Sequence, residues 1–226
     1  MKSIAVAIDG PSGAGKSTIA RAVAERLGFV YVDTGAMYRT IGLAVCRAGV
    51  QLGDTAGILP VLPGIGVSLN YQDGVQHVLL NGEDVSGLIR TPEMSKYASF
   101  VSAVPEVRAF LLDTQRDMAK KCSVIMDGRD IGTVILPDAE VKIFLTASPE
   151  ARARRRWLEL QQKGENVTLD EVLADMIQRD RDDTTRAAAP LRQAEDAVLV
   201  DTSELTLEQS MDAVEAVIRR VLEGQG

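Results

Sequence analysis

Five short apolar runs punctuate the chain, and each closes on a polar residue. Ile4–Ile8 ends at Asp9, Phe29–Val32 at Asp33, Val124–Met126 at Asp127, Val141–Leu145 at Thr146, and Ala197–Val200 at Asp201. Runs of this length fit strands buried on both faces of a parallel sheet. Segments of helical character separate them, which predicts alternating β and α elements with right-handed crossovers. The closing polar residues then fall at the carboxyl edge of the sheet, where open α/β sheets take ligands, so Asp9, Asp33 and Asp127 should collect there. Thr91-Pro92-Glu93 and Ser148-Pro149-Glu150 each place a hydroxyl cap before a proline at the first helical position. Thr168 with Glu171, and Thr206 with Gln209, have capping-box spacing. One region breaks the rhythm. Between about Gly64 and Arg90, Val67, Leu69 and Tyr71 alternate, Asp73-Gly74 and Asn81-Gly82 offer tight turns, and His77–Leu80 reads as a second strand. This predicts a small antiparallel meander inserted in the α/β core.

At 226 residues, the chain is long enough for one sizeable core with an insertion and short for two independent domains. The expected layout is a single domain, 1–226, with a core of about 1–60 and 104–226 and an insert of about 61–103. No uninterrupted apolar stretch is long enough to span a bilayer, and no signal-peptide pattern precedes the first strand-like run, so the expectation is a cytoplasmic protein. Cys46 and Cys122 lack metal-type spacing and read as reduced thiols. A net charge of −7 argues against nucleic acid or an anionic membrane as partner. Eight arginines lie between Arg152 and Arg192, among eight acids from Glu159 to Asp183. Arginines interleaved with carboxylates fit side chains held for a small anion, with a salt-bridged helix face as the alternative.

Gly10-Pro11-Ser12-Gly13-Ala14-Gly15-Lys16-Ser17 matches G-x-x-x-x-G-K-[ST], followed by Thr18. It lies between a buried strand and an apolar-periodic segment, Ile19, Ala22, Val23 and Leu27, that reads as a helix. In that context glycines let backbone N–H groups approach phosphate oxygens, and the helix N-terminus adds its dipole. Lys16 should reach the β- and γ-phosphates, and the Ser17 hydroxyl should join a Mg²⁺ shell. The chain is thus expected to bind a nucleoside triphosphate with Mg²⁺. Asp127 closes a strand as an acid near Mg²⁺ does in this fold class. A turn-capping role is its alternative, and Asp9 and Asp33 share its edge.

The proton inventory bears on the acceptor. A hydroxyl acceptor calls for a positioned general base, yet the lone histidine, His77, falls in the meander. A phosphate acceptor is already an anionic nucleophile and needs cations that offset repulsion between two polyanions, which suits arginine. Arg152, Arg155 and Arg156, at i, i+3 and i+4, read as one face of a helical lid spanning about 148–190, whose cations cover the transferring group and exclude water. A solvated basic face is the alternative. Arg129-Asp130 follows directly on the strand ending at Asp127, and Asp183 and Arg186 are spaced to face one way.

Several ordered stretches together resemble the bacterial cytidylate kinase family across nearly the whole chain. They are Ile8–Thr18, Asp33-Thr-Gly-Ala-Met-Tyr-Arg39, Gly82–Arg90, Asp127-Gly-Arg-Asp-Ile-Gly-Thr133, Val141–Leu145 and Arg186-Ala-Ala-Ala-Pro-Leu191. The meander fits as well, because that family looks enlarged there. The resemblance implies a phosphate-loop kinase fold with a five-stranded parallel sheet, a small antiparallel insert and a helical lid. It further implies transfer of the γ-phosphoryl group of ATP to CMP and dCMP; a monomer is expected. Carried over, Arg129 and Asp130 would contact the cytosine edge, and Arg39, Arg108 and Arg186 the acceptor phosphate. Ser99, Arg179 and Asp183 would sit nearer base and sugar, with Thr34 in the same pocket. Members often carry serine at the place of Thr34, and some carry glycine at that of Ser17, so the family's chemistry does not require a Ser17 contact to Mg²⁺. A shikimate-type kinase should show Asp-x-Asp where this chain has Asp33-Thr34-Gly35. A GTP switch should show Asn-Lys-x-Asp, which is absent.

Overall fold

The computed structural model describes residues 3–72 and 75–224. The apolar runs become strands β1 (Ala5–Asp9), β2 (Val30–Asp33), β6 (Val124–Gly128), β7 (Val141–Thr146) and β8 (Val198–Asp201). They form one five-stranded sheet in the order β2-β6-β1-β7-β8. Central β1 runs parallel to β6 and to β7, with Asp9 opposite Gly128 on one side and Phe144 on the other. Val6, Ala7 and Ile8 are inaccessible to solvent, the two-sided burial that non-alternating runs require. The chain divides into two compact units, one comprising residues up to Tyr31 and from Ala119 onward, the other Val32–Met118, so that the boundary falls inside β2.

In the first unit, α1 (Lys16–Leu27) and α8 (Leu207–Glu223) cover one sheet face. Ile19 and Val23 from α1 and Val214 and Ile218 from α8 pack on Ile8, Ile143 and Leu145. Helices α6 (Pro149–Gln162) and α7 (Leu169–Thr185) share a smaller core of Ala153, Leu160, Val172 and Met176. Both capping boxes are present, Thr168 with Glu171 and Thr206 with Gln209.

The second unit contains α2 (Thr34–Arg47), α3 (Thr55–Ile58), an antiparallel sheet, α4 (Pro92–Ser102) and most of α5 (Pro105–Lys121). The sheet is β3 (Val67–Gln72), β4 (Val75–Leu80) and β5 (Glu83–Asp84), in that order. Asn81 and Gly82 both have positive φ, 51° and 87°, the conformation a tight turn at this dipeptide demands. The Asp73-Gly74 turn lies outside the described residues. Helices α2 and α4 meet where Gly42 lies under Tyr97, so close that a Cβ at position 42 would stand 2.9 Å from the tyrosine Cβ. This unit is wider than an insert of 61–103, because α2, α3 and most of α5 belong to the hydrophobic core that buries the meander. No helix among the described residues is long and apolar enough to cross a membrane.

Candidate active site

The first unit builds its site from the ends of β1 and β6. Beyond Asp9 the chain turns at Gly10, whose φ is +150° and where a Cβ would sit 1.9 Å from the Leu145 carbonyl oxygen, so only glycine fits. The loop ends at Gly15, a left-handed N-cap that makes no side-chain hydrogen bond to α1. Opening amides without a side-chain cap are what a phosphate would use. Lys16 is buried, not exposed, and its Nζ donates to the Pro11 carbonyl at 2.7 Å, closing the loop on itself. Burial, then the Arg129 guanidinium, push the Lys16 ammonium well below the usual lysine range. An arriving polyphosphate would reverse that balance.

Asp127 receives two hydroxyl donors, Ser17 Oγ on Oδ2 at 2.8 Å and Tyr31 on Oδ1 at 2.9 Å. Arg21 lies over the Tyr31 ring at 5.4 Å. Among the described residues no group of three or more His, Cys, Asp and Glu could hold a metal. Mg²⁺, however, takes one or two protein oxygens and completes its shell with phosphates and water, and a hydroxyl beside a carboxylate is the hard donor pair it prefers. The pair therefore fits the ion. Asp9, by contrast, accepts from the backbone N–H groups of Ile131 and Gly132. Asp33 caps α2 within the second unit.

Two residues beyond Asp127, β6 delivers Arg129 and Asp130. Arg129 Nε donates to Asp183 Oδ2 at 2.8 Å. Arg186 lies 3.8 Å from the other Asp183 oxygen and 3.7 Å from Asp130. Burial raises the Asp183 carboxyl, but Arg129, Arg179 and Arg186 more than offset it and hold it below the usual carboxylate range. Burial likewise works against the Arg129 charge, and the Asp183 carboxylate outweighs it. Arg129, Asp130, Arg179, Asp183 and Arg186 thus form one electrostatic cluster.

Of the four arginines of α6, the three expected on one face, Arg152, Arg155 and Arg156, do not converge. Arg152 is buried and donates from Nε to the Ala147 carbonyl at 2.8 Å and from Nη1 to the Ser12 carbonyl at 2.9 Å. Its Nη1 and Nη2 also reach the Asp180 carboxylate of α7 at 3.1 and 2.5 Å. Arg155 bonds Thr202 beyond β8. Arg156 pairs with Glu159 on its own helix. Helical spacing gives direction from the axis, but the neighbours decide where a long side chain ends. A cavity of about 410 Å³ opens beside Pro11, Arg152 and Asp180.

In the second unit, Asp33 accepts from the Ala36 N–H and pairs with Arg39 at 3.1 Å and Arg90 at 2.8 Å. Burial opposes the Asp33 charge, and the two arginines hold its pKa below the ordinary value. Thr34, buried, begins α2. Arg108 lies over the Tyr38 ring at 5.4 Å and donates to the Ser102 carbonyl. Ser99 is half-buried on α4, its carbonyl accepting from Ser102 Oγ at 2.9 Å. His77 lies on β4, bonded to Asp84 at 2.8 Å.

The family model for cytidylate kinase matches residues 6–220. The chain belongs to the cytidylate kinase family. A cytidylate kinase of Caldicellulosiruptor saccharolyticus is 50% identical over 98% of both chains. One of Citrifermentans bemidjiense is 49% identical over 97% of this chain and 94% of its own. Two solved structures share the fold at low identity: shikimate kinase from Bacteroides thetaiotaomicron, with a TM-score of 0.50 and 14% identity over 96% of this chain and 98% of that one, and a gluconokinase from Sinorhizobium meliloti, with a TM-score of 0.50 and 14% identity over 98% and 95%. For this cytidylate kinase family member, sequence reasoning passed over Tyr31, Arg90 and Asp180 as site residues. Arg90 had a signal, since it closes the Gly82–Arg90 stretch. Tyr31 and Asp180 had none, because each acts through a partner distant in sequence.

Proposed function

We propose that the protein transfers the γ-phosphoryl group of ATP to CMP, and to dCMP, yielding ADP with CDP or dCDP. The observation that carries this reading is the end of β6. Within four residues it supplies Asp127 to the phosphate-loop hydroxyl and Arg129-Asp130 to a buried arginine–carboxylate cluster. One strand end thereby serves a donor triphosphate and an acceptor that is both charged and polar. An acceptor phosphate oxygen attacks the γ-phosphorus in line, the bond to the ADP oxygen breaks, and no general base is required. Positioning and charge neutralisation are the protein's main contributions. Lys16 and the loop amides bind the triphosphate. Mg²⁺, held by Ser17 and Asp127 with the nucleotide, would supply further charge neutralisation on the β- and γ-phosphates.

In this reading Arg39, Arg108 and Arg186 take the acceptor phosphate, and Arg129 and Asp130 read the cytosine edge. Thr34, Ser99, Arg179 and Asp183 serve base and sugar. Arg152, Arg155 and Arg156 act as lid cations after turning from their present partners. The protein works as a monomer in the cytoplasm. The test is ADP release from ATP and Mg²⁺ against CMP, dCMP, UMP, AMP and shikimate in turn, with light scattering for the mass in solution. CMP and dCMP should give the highest kcat/KM. Turnover of shikimate but of no monophosphate would overturn the proposal.

A further inference from the structure

Asp9 stands one position before the phosphate loop, as the last residue of β1. Its buried carboxylate accepts from two consecutive backbone donors, Ile131 N–H on Oδ1 and Gly132 N–H on Oδ2, each at 2.8 Å. These amides open the π-helical turn Ile131–Ile135, directly after Arg129-Asp130. A carboxylate offers one oxygen to each of two adjacent donors, so this fork fixes the direction of the turn as well as its place. The strands are already paired, with Asp9 opposite Gly128. The fork extends that pairing past the point where the chain leaves the sheet.

We infer that Asp9 is a positioning residue that fastens the turn directly after Arg129 and Asp130 to the root of the phosphate loop, and so sets affinity for the acceptor without touching it. The inference rests on Arg129 and Asp130 being acceptor contacts. A carboxylate is an expensive way to hold two amides in this place. Burial is the largest influence on it and outweighs the two N–H bonds; with Asp130 repelling it and Lys16 attracting it, its pKa is pushed up to about 6. Arg129 also lies within electrostatic range. Protonation turns one acceptor oxygen into a hydroxyl donor facing an N–H, so the fork should open as pH falls through that value.

Asp9→Asn in the full-length chain tests this, since an amide keeps one acceptor and aims an NH₂ at the other donor. The KM for CMP should rise about tenfold, while kcat and the KM for ATP stay within about threefold. Hydrogen exchange of the Ile131 and Gly132 amides, read without nucleotide, should quicken about tenfold. The variant-to-wild-type ratio of CMP KM should be largest above pH 6 and approach one below it. Taking the ratio cancels the titration of the CMP phosphate itself, which falls near pH 6. Unchanged exchange at the two amides, equal losses for ATP and CMP, or a ratio independent of pH would each overturn the inference. Should the variant fail to fold, wild-type exchange decides. Relative to the Ile125 and Met126 amides, protection at 131 and 132 must fall as pH drops through 6, and constant protection refutes the clamp. If exchange behaves as expected but the wild type does not turn over CMP, the clamp stands and the acceptor assignment falls.

Discussion

Arg152→Lys keeps the charge of α6 but removes the fork. In the native protein the guanidinium makes bonds to the carbonyls of Ala147 and Ser12 and two to Asp180. At about 1 kcal/mol net for each carbonyl bond and about 2 for the charged pair, the set contributes roughly 4 kcal/mol. An ammonium at the end of a straight stem can satisfy Asp180 or the carbonyls, not both, so about 2 kcal/mol should be lost. For a chain of this size that lowers Tm by about 6 °C. Because Ser12 lies in the phosphate loop, the KM for ATP should rise severalfold as well. Thermal unfolding followed by circular dichroism and steady-state kinetics with varied ATP read both effects. A Tm within 1 °C of the wild type and an unchanged KM for ATP, with kcat down about a hundredfold, would refute this structural role for Arg152. Arg152 would then act on the transferring phosphoryl group alone.

Lys16→Met should lower kcat by about a thousandfold, yet raise stability at neutral pH, because burial disfavours the charged form that the unfolded chain carries at that pH. Its folded pKa is depressed from 10.5, so the penalty is full below the folded value and vanishes above about pH 10.5, where lysine is neutral folded or unfolded; urea titrations at neutral and high pH check this. Asp183→Asn should cost about 3 kcal/mol at pH 7 by leaving the half-buried Arg129 without its counter-charge. The carboxyl's folded pKa is depressed, so its contribution is present above the ordinary 3.8 and is lost as pH falls below it. The gap between variant and wild type in urea should therefore narrow toward pH 3. Tyr31→Phe removes one donor to buried Asp127 and should cost about 1.5 kcal/mol in the same assay; an unaltered midpoint would show that the hydroxyl contributes nothing there.

The central strands β1 and β6 were readable because two-sided burial admits only apolar residues, and each run closes within a residue of its observed end; β7 and β8 bury only part of their residues. Caps were readable for a local reason, since Thr168 and Glu171 meet within a single helical turn. The phosphate loop belongs to the same class: its glycines and Lys16 act within one turn of chain. What escaped depends on pairings remote in sequence. From the sequence Asp9 reads as one more acid at the sheet edge, because its partners at 131 and 132 lie more than a hundred residues away. The arginines of α6 shared a face by spacing, but their ends are chosen by Asp180, Thr202 and Glu159. The unit boundary at Val32 and Met118 was hidden too, because α2 and α5 carry the same amphipathic pattern whichever core they join.

Asp33 holds Arg39 and Arg90 together in the second unit. It is a resident anion, already paired with both cations. Under the proposed function, a phosphate reaching Arg39 would compete with that carboxylate for the guanidinium's donors, and a dianion competes better than a neutral group. A bare nucleoside brings no charge to that competition, so under the same proposal unphosphorylated cytidine should be disfavoured whatever the fit of its base.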